Sequence, residues 1–253
     1  MTFNAGKQNQ VVALDAIDLT VQPGELVSLI GPSGCGKSTL LRLIANLIEP
    51  SAGAVQVNGK SASQARLDGD YGMAFQQAGL FEWRTVARNI ELPLELKGWD
   101  RARRRARALE MLDLVRLRDF ADHRPWELSG GMQQRIAIAR ALSFEPKLLL
   151  MDEPFGALDE MTREHMQGEL GQIRAQTGSS IIFVTHSIPE AVFLSDRVVV
   201  MSARPGRVAA IVDVTLGERN ELTREDPAFF RYVTQVREAL RGVPGYGGGI
   251  DDR

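Results

Sequence analysis

Three short apolar runs set the frame of this chain. Leu26-Val27-Ser28-Leu29-Ile30 ends at a glycine-rich loop, Leu148-Leu149-Leu150-Met151 ends at Asp152-Glu153, and Ile181-Ile182-Phe183-Val184 ends at Thr185-His186. Near-continuous apolar runs of this length read as strands buried on both faces of a parallel sheet. Each places polar residues just past its carboxyl end. In a parallel sheet those ends share one rim, where ligands bind. After the first run, residues 38–47 carry Leu40, Leu41, Ile44 and Leu47 at helical spacing.

Between Thr85 and Leu128 the strand pattern disappears. Residues 100–118 place Ala102, Ala106, Leu109, Leu112 and Val115 on one helical face. A helical insertion over about 85–135 is therefore expected. Residues 11–19 and 54–57 read as antiparallel β segments flanking the core. Phe229, Val233, Val236 and Leu240 mark an amphipathic helix near the end, and the glycine-rich stretch 242–253 reads as a loose tail. The fold class predicted is α/β: a core with a mainly parallel sheet (a P-loop NTPase core once the motif described below is counted), an N-terminal antiparallel β subdomain and a helical insertion. It is read as one domain over 1–241, with no internal repeat.

Composition narrows the setting. The chain has 253 residues, 44% apolar and 25% charged, with a net charge of −2. Those are values of an ordinary globular protein, and the slight acidity argues against nucleic acid as partner. One cysteine makes no internal disulfide, which fits a reducing compartment. No apolar run approaches the roughly 18 residues that cross a bilayer. Residues 1–10 carry no apolar signal core. These features point to the cytosol.

The chemistry gathers on the predicted rim. Gly31-Pro32-Ser33-Gly34-Cys35-Gly36-Lys37-Ser38-Thr39 is a full GxxxxGKS phosphate loop in the strand–loop–helix context that it requires. Glycines allow the backbone to aim N–H groups at a triphosphate, and the helix start adds its dipole. Lys37 would reach the β- and γ-phosphates, and Ser38 would ligate Mg²⁺. Cys35 has two readings, a small filler or a reactive thiol at a helix N-terminus. Asp152 and Glu153 follow four apolar residues, and adjacent residues on an extended segment point opposite ways, so one carboxylate can hold the Mg²⁺ shell while the other addresses a water. Asp152 is then the Mg²⁺-side candidate and Glu153 the candidate general base. His186, ending another strand, is a candidate γ-phosphate contact.

A second glycine-rich helix start needs its own explanation. Leu128-Ser129-Gly130-Gly131-Met132-Gln133-Gln134-Arg135 opens a stretch with Ile136, Ala139 and Leu142 at helical spacing, and Ser129 is a natural N-cap. It is a second anion site in a chain with one phosphate loop.

On these residues the chain resembles the ATPase subunit of an ATP-binding-cassette (ABC) transporter over about residues 10–210. The resemblance rests on GPSGCGKST, Gln76 of Met73-Ala74-Phe75-Gln76, LSGGMQQR, LLLMDEP, Ala157-Leu158-Asp159 and Thr185-His186, in the family's order. It implies a head-to-tail homodimer in which Ser129, Gly130 and Gly131 of one copy meet ATP held by Lys37 of the other. Gln76 would join the Mg²⁺ and water shell, and Asp159 would communicate across the dimer. Leu80, Phe81 and Trp83 would line a groove for a permease helix, with ordinary core packing as the plainer reading. The Arg101, Arg103, Arg104, Arg105 and Arg107 run reads as a solvated helix face.

Phe155-Gly156-Ala157-Leu158-Asp159 and the 201–208 string MSARPGRV are similar to importers of the nitrate, sulfonate and taurine group. That group implies two transmembrane permease subunits, an extracytoplasmic solute-binding protein and a place on the cytoplasmic face of the inner membrane. An exporter ATPase and a non-transport ABC ATPase are the rivals; a simple P-loop kinase would lack the Ser129-Gly130-Gly131 string. Three departures stand out. Asn46 replaces a usual glycine, Glu82 replaces a common proline, and the strand before the adenine-stacking aromatic is missing, with Phe3 as candidate for that aromatic. A true start further upstream would explain the short amino end.

Overall fold

The computed structural model describes residues 1–7 and 9–243. Along the chain run β1 (Thr2–Phe3), β2 (Val11–Val12), β3 (Leu26–Ile30), α1 (Lys37–Ile44), β4 (Gln56–Val57), β5 (Lys60–Ser61), α2 (Ala62–Asp68) and β6 (Tyr71–Ala74). Then come α3 (Val86–Leu96), α4 (Arg101–Leu114), α5 (Gly130–Leu142), β7 (Leu148–Asp152) and α6 (Glu160–Thr177). The chain closes with β8 (Ser180–Val184), α7 (Ile188–Leu194), β9 (Arg197–Met201), β10 (Val208–Asp213) and α8 (Pro227–Arg241). Two compact units result: Met1–Asp68 together with the chain from Ser180 onward, and Gly69–Ser179.

The first unit is built on β3. It pairs in parallel with β8, matching Leu26 to Ile181, and with β9, matching Val27 to Arg197. The edge strand β10 runs antiparallel to β9. Every residue of β3 is buried, as an apolar run flanked by parallel neighbours requires. Leu26, Leu29 and Ile30 are at most 2% exposed, and each such side chain contributes about 1.5–3 kcal/mol of burial. The predicted face of α8 holds, with Phe229, Val233, Val236 and Leu240 all buried. Of the predicted tail, Gly242 caps α8 and Val243 is buried; residues 244–253 lie outside the described residues.

Three expectations shift here. The antiparallel segments shrink to two-residue strands in separate ladders, β1 with β2 and β4 with β5. Beyond Val12 the chain leaves the ladder: Leu14 forms a bridge with Gly206, and Ala16 takes a left-handed φ of 50°. The helix expected over 38–47 ends at Ile44, and Leu47 is 49% exposed. Asn46 sits at φ 48°, a left-handed position that asparagine tolerates and that ends a helix, so it can stand in for glycine.

In the second unit β6 and β7 pair in parallel, Tyr71 opposite Leu148. A Cβ on Gly72 would lie 2.3 Å from the Ala141 carbonyl oxygen, so only glycine lets α5 lie against this strand. Between the strands lie α3, α4 and α5. The buried face of α4 differs from the predicted one: Ala108, Met111 and Leu112 face inward, whereas Ala102 and Ala106 are exposed. Arginines at both ends of the stretch hide the period, since their stems cover apolar surface while their heads stay in water.

Candidate functional site

The phosphate loop of the first unit is caged from behind. Gly34 and Gly36 take left-handed φ angles of 74° and 105°. Gly36 is also the N-cap of α1, with no side chain accepting from the first turn, so the amide end of the helix is free of a competing cap. A Cβ on Gly31 would lie 2.8 Å from the Met201 carbonyl oxygen, and one on Gly36 2.6 Å from Leu14 Cδ2. A Cβ on Gly206 would lie 1.9 Å from the Cys35 carbonyl oxygen. Pro32, Ser33 and Gly34 form the outer curve, with Ser33 and Gly34 exposed. Thr39 and Ser38 follow Lys37 in the first turn of α1.

Lys37 is 6% exposed, and its Nζ donates to the carbonyls of Gly31 at 2.8 Å and Pro32 at 3.2 Å. Its Nζ also lies 3.7 Å from Cys35 Sγ. The ammonium is thus held along the inside of its own loop, where phosphate oxygens can replace carbonyls. Cys35 is fully buried, which selects the filler reading over the reactive thiol.

His186 also belongs to this unit and is exposed just past β8. Its loop is closed around it. The Thr185 hydroxyl donates to the Glu190 carboxylate, the Ser187 N–H donates to Thr185 Oγ1 at 3.0 Å, and the Glu190 N–H donates to Ser187 Oγ at 3.3 Å. Glu190 itself is buried.

The second unit carries the acidic pair. Asp152 is the last residue of β7 and is buried. Glu153 takes a left-handed φ of 50°, so the two do not share an extended segment and the alternation argument does not hold for them. A non-glycine residue in that region is held there by its surroundings. Gln76, exposed after β6, donates from Nε2 to Glu153 Oε2 at 3.3 Å. Ser129 caps α5 by accepting from the Met132 N–H at 3.3 Å. Nothing lies within 4 Å of a Cβ placed on Gly130, whereas one on Gly131 would meet the Ala157 carbonyl oxygen at 3.3 Å. Asp159 caps α6 through the Thr162 N–H at 3.0 Å, and that backbone bond holds its carboxyl below the usual carboxylate range.

The ABC transporter family matches residues 14–156. The chain belongs to that family. This ABC chain is 44% identical to the nitrate import ATP-binding protein NrtD of Synechocystis sp., over 94% of its own length and 91% of the relative's. It is 47% identical to the taurine import ATP-binding protein TauB of Yersinia pestis bv. Antiqua, over 82% of this chain and 80% of that one. Among solved structures it is similar to the dimeric post-hydrolysis state of the ATP-binding cassette MJ0796 bound to ADP and Pi. That likeness has a TM-score of 0.78 at 35% identity, covering 85% of this chain and 96% of that chain.

Within this ABC cassette, the segment around Gln76 is held by polar side chains to which the sequence assigned no such role. Gln134 Nε2 donates to the Phe75 carbonyl at 2.8 Å, and Arg140 donates to the carbonyls of Ala78 and Gly79, both at 2.9 Å. Buried Asn89 accepts from the Phe81 N–H at 2.7 Å and donates to the carbonyls of Phe81 and Thr85, both at 3.1 Å. Burial pushes the Arg140 guanidinium below its usual pKa. Trp83, tilted against Phe81 at 4.9 Å, is 69% exposed, which excludes core packing for it. Glu82 is exposed beside it.

Of the arginine run, Arg101 and Arg103 are exposed as read, whereas Arg104, Arg105 and Arg107 are half-buried. Arg105 meets Asp122 at 2.9 Å, and Arg107 meets Glu110 at 2.6 Å and Glu145 at 2.9 Å. Phe3 pairs with Val11 in β1 and is 38% exposed.

Proposed function

We propose that this chain is the ATP-hydrolysing subunit of an importer and works as a head-to-tail homodimer beneath two permease subunits. One observation carries the dimer: the chain offers two glycine-rich helix starts, α1 behind the phosphate loop and α5 capped by Ser129 with open space at Gly130, but one lysine cradle. Ser129, Gly130 and Gly131 of one copy complete the site that Lys37 opens in the other. The dimeric cassette among the similar structures supports this arrangement. The names of the nitrate and taurine relatives favour import over export, with a small anionic or zwitterionic solute as cargo. The cargo arrives from an extracytoplasmic binding protein.

The roles follow from the chemistry. The backbone of 31–36 and Lys37 bind the phosphates, and Ser38 and Thr39 begin the helix whose amides face them. The residue types suit Mg²⁺: the first unit offers the Ser38 hydroxyl, and the second offers the Asp152 carboxylate and the Gln76 amide oxygen, all hard oxygen donors. Among the described residues no cluster of His, Cys, Asp and Glu competes as a dedicated metal cage. Bound Mg²⁺ supplies charge neutralisation at the phosphates. Glu153 takes the proton of the attacking water, Gln76 holds that carboxylate in place, and His186 donates to the γ-phosphate. Asp159 reads the state of the opposite site. Phe3 is the aromatic that meets the adenine.

No helix among the described residues is long and apolar enough to cross a membrane. As the ATPase subunit of an importer, the chain would meet the membrane peripherally, on the cytoplasmic face, through the segment of Phe81 and Trp83 against its permease partners.

The test is Glu153→Gln. It keeps ATP binding, lowers turnover by about 10²–10⁴-fold, and accumulates an ATP-bound dimer in light scattering. Turnover at the wild-type rate removes Glu153 as the base, and an ATP-bound monomer removes the shared site.

A further inference from the structure

We propose that Arg163 is a positioning residue for hydrolysis, a clamp that holds the loop from Glu153 to Asp159 in one shape. This rests on the reading of Glu153 as general base. Arg163 lies in the first turn of α6 and is half-buried. Its Nη2 donates to the Leu158 carbonyl at 2.6 Å and its Nε to the Phe155 carbonyl at 3.3 Å. One planar fork thereby spans the loop, a geometry that a guanidinium has and an ammonium lacks.

The loop has reason to need it. It opens on Glu153 in the left-handed region, a state that persists only where surroundings over-determine it. Within it the Gly156 N–H donates to the Glu153 carbonyl at 3.2 Å and the Leu158 N–H to the Phe155 carbonyl at 3.1 Å. Phe155 and Leu158 are buried and anchor its middle, while Asp159 at its end is fixed as the cap of α6. The same loop lies under the signature helix, since the Cβ position of Gly131 is 3.3 Å from the Ala157 carbonyl oxygen and 3.4 Å from Leu158 Cδ2. Arg163 thus ties the candidate base, the cross-dimer aspartate and the signature glycine into one piece. Its bonds run to the carbonyls of the loop. Its effect passes through the direction in which Glu153 points.

The experiment uses the full chain and three variants, with ATP turnover, nucleotide binding by calorimetry and thermal melting measured on each. Arg163→Ala is expected to lower kcat by about 10- to 100-fold, the range that misplacing a catalytic group costs. KM for ATP and the nucleotide Kd stay within about twofold. Arg163→Lys reaches one carbonyl and gives a kcat between the two. A kcat within about twofold of wild type in Arg163→Ala overturns the clamp. So does a fall in kcat matched by an equal rise in KM or Kd, because general loosening reaches binding too. If Arg163→Ala fails to fold, Arg163→Lys decides, and wild-type turnover in it overturns the clamp. Glu153→Gln run alongside separates the two claims. Wild-type turnover in that variant overturns the base assignment and the clamp with it, whereas its inactivity beside an unaffected Arg163→Ala overturns the clamp alone.

Discussion

The phosphate loop and the signature turn look alike in sequence and are built in opposite ways. Both are glycine-rich turns that open a helix. In the phosphate loop the glycines answer to the protein's own backbone. Gly36 holds a φ of 105°, and Gly31, Gly36 and Gly206 each face an atom closer than 3 Å to a would-be Cβ. In the signature turn Ser129 supplies an ordinary cap, and neither Gly130 nor Gly131 has a positive φ. The space above Gly130 is open. Glycine in the first place makes a conformation possible; in the second it leaves room. A cage preforms a site within one chain, whereas an open helix start is finished by something that arrives.

The largest effect tests the caged side. Lys37→Ala removes the one ammonium inside the loop and, with it, the bonds from Nζ to the carbonyls of Gly31 and Pro32. Nucleotide affinity is expected to fall more than about 100-fold, since charge-assisted bonds to phosphate are among the strongest. Calorimetry that shows undiminished binding would remove the loop as the phosphate site.

Glycine substitutions then set the two sides directly against each other. Gly206→Ala drives a methyl into the Cys35 carbonyl, 1.9 Å away, so backbone has to move. A loss of at least about 1–3 kcal/mol is expected in denaturant melts, with weaker ATP binding. Gly130→Asp meets nothing, and a carboxylate suits a helix N-terminus, so stability stays within about 0.5 kcal/mol. Its charge opposes an arriving phosphate, and ATP turnover is expected to fall at least about tenfold through like-charge repulsion. Equal damage to stability in both variants breaks the comparison. A Gly130→Asp variant that turns over ATP normally shows that nothing docks there.

This division also tracks what could be read in advance. The runs of β3, β7 and β8 were legible because burial on both faces leaves an unbroken apolar string. β6 was not, since Gly72 and Ala74 are small for the sake of α5 rather than apolar for the sake of a core. α6 buries only Met166, Gln167 and Leu170, too few to carry a helical period. The motif residues of the phosphate loop were legible because their backbone task restricts residue type. Asn89, Gln134 and Arg163 were not, because they bind loop carbonyls whose positions exist only once the loop has folded. The left-handed Glu153 was invisible for the same reason: neighbours impose it, and a glutamate codes for no turn.

The smallest effect lies at the far ends of the two helices. α1 is capped by Ala45 and turns left-handed at the next residue, Asn46, at φ 48°, whereas α5 is capped by Ser143 and turns left-handed two residues on, at Glu145, at φ 52°. If α1 belongs to a cage whose backbone is set throughout, the residue type at 46 matters less than the angle it accepts. Asparagine and glycine both accept it. Asn46→Gly removes a long 3.4 Å bond from Arg66 Nε to Asn46 Oδ1 and frees the unfolded chain slightly, while relieving the left-handed cost. These terms oppose one another, and the net change is expected within about 0.5 kcal/mol, with ATP affinity unchanged. Asn46→Val keeps neither tolerance and is expected to lose about 1–2 kcal/mol. Urea melts of the pair decide the matter. Equal stability in both would mean that the end of α1 can adjust its backbone, and the cage would then reach no further than the loop itself.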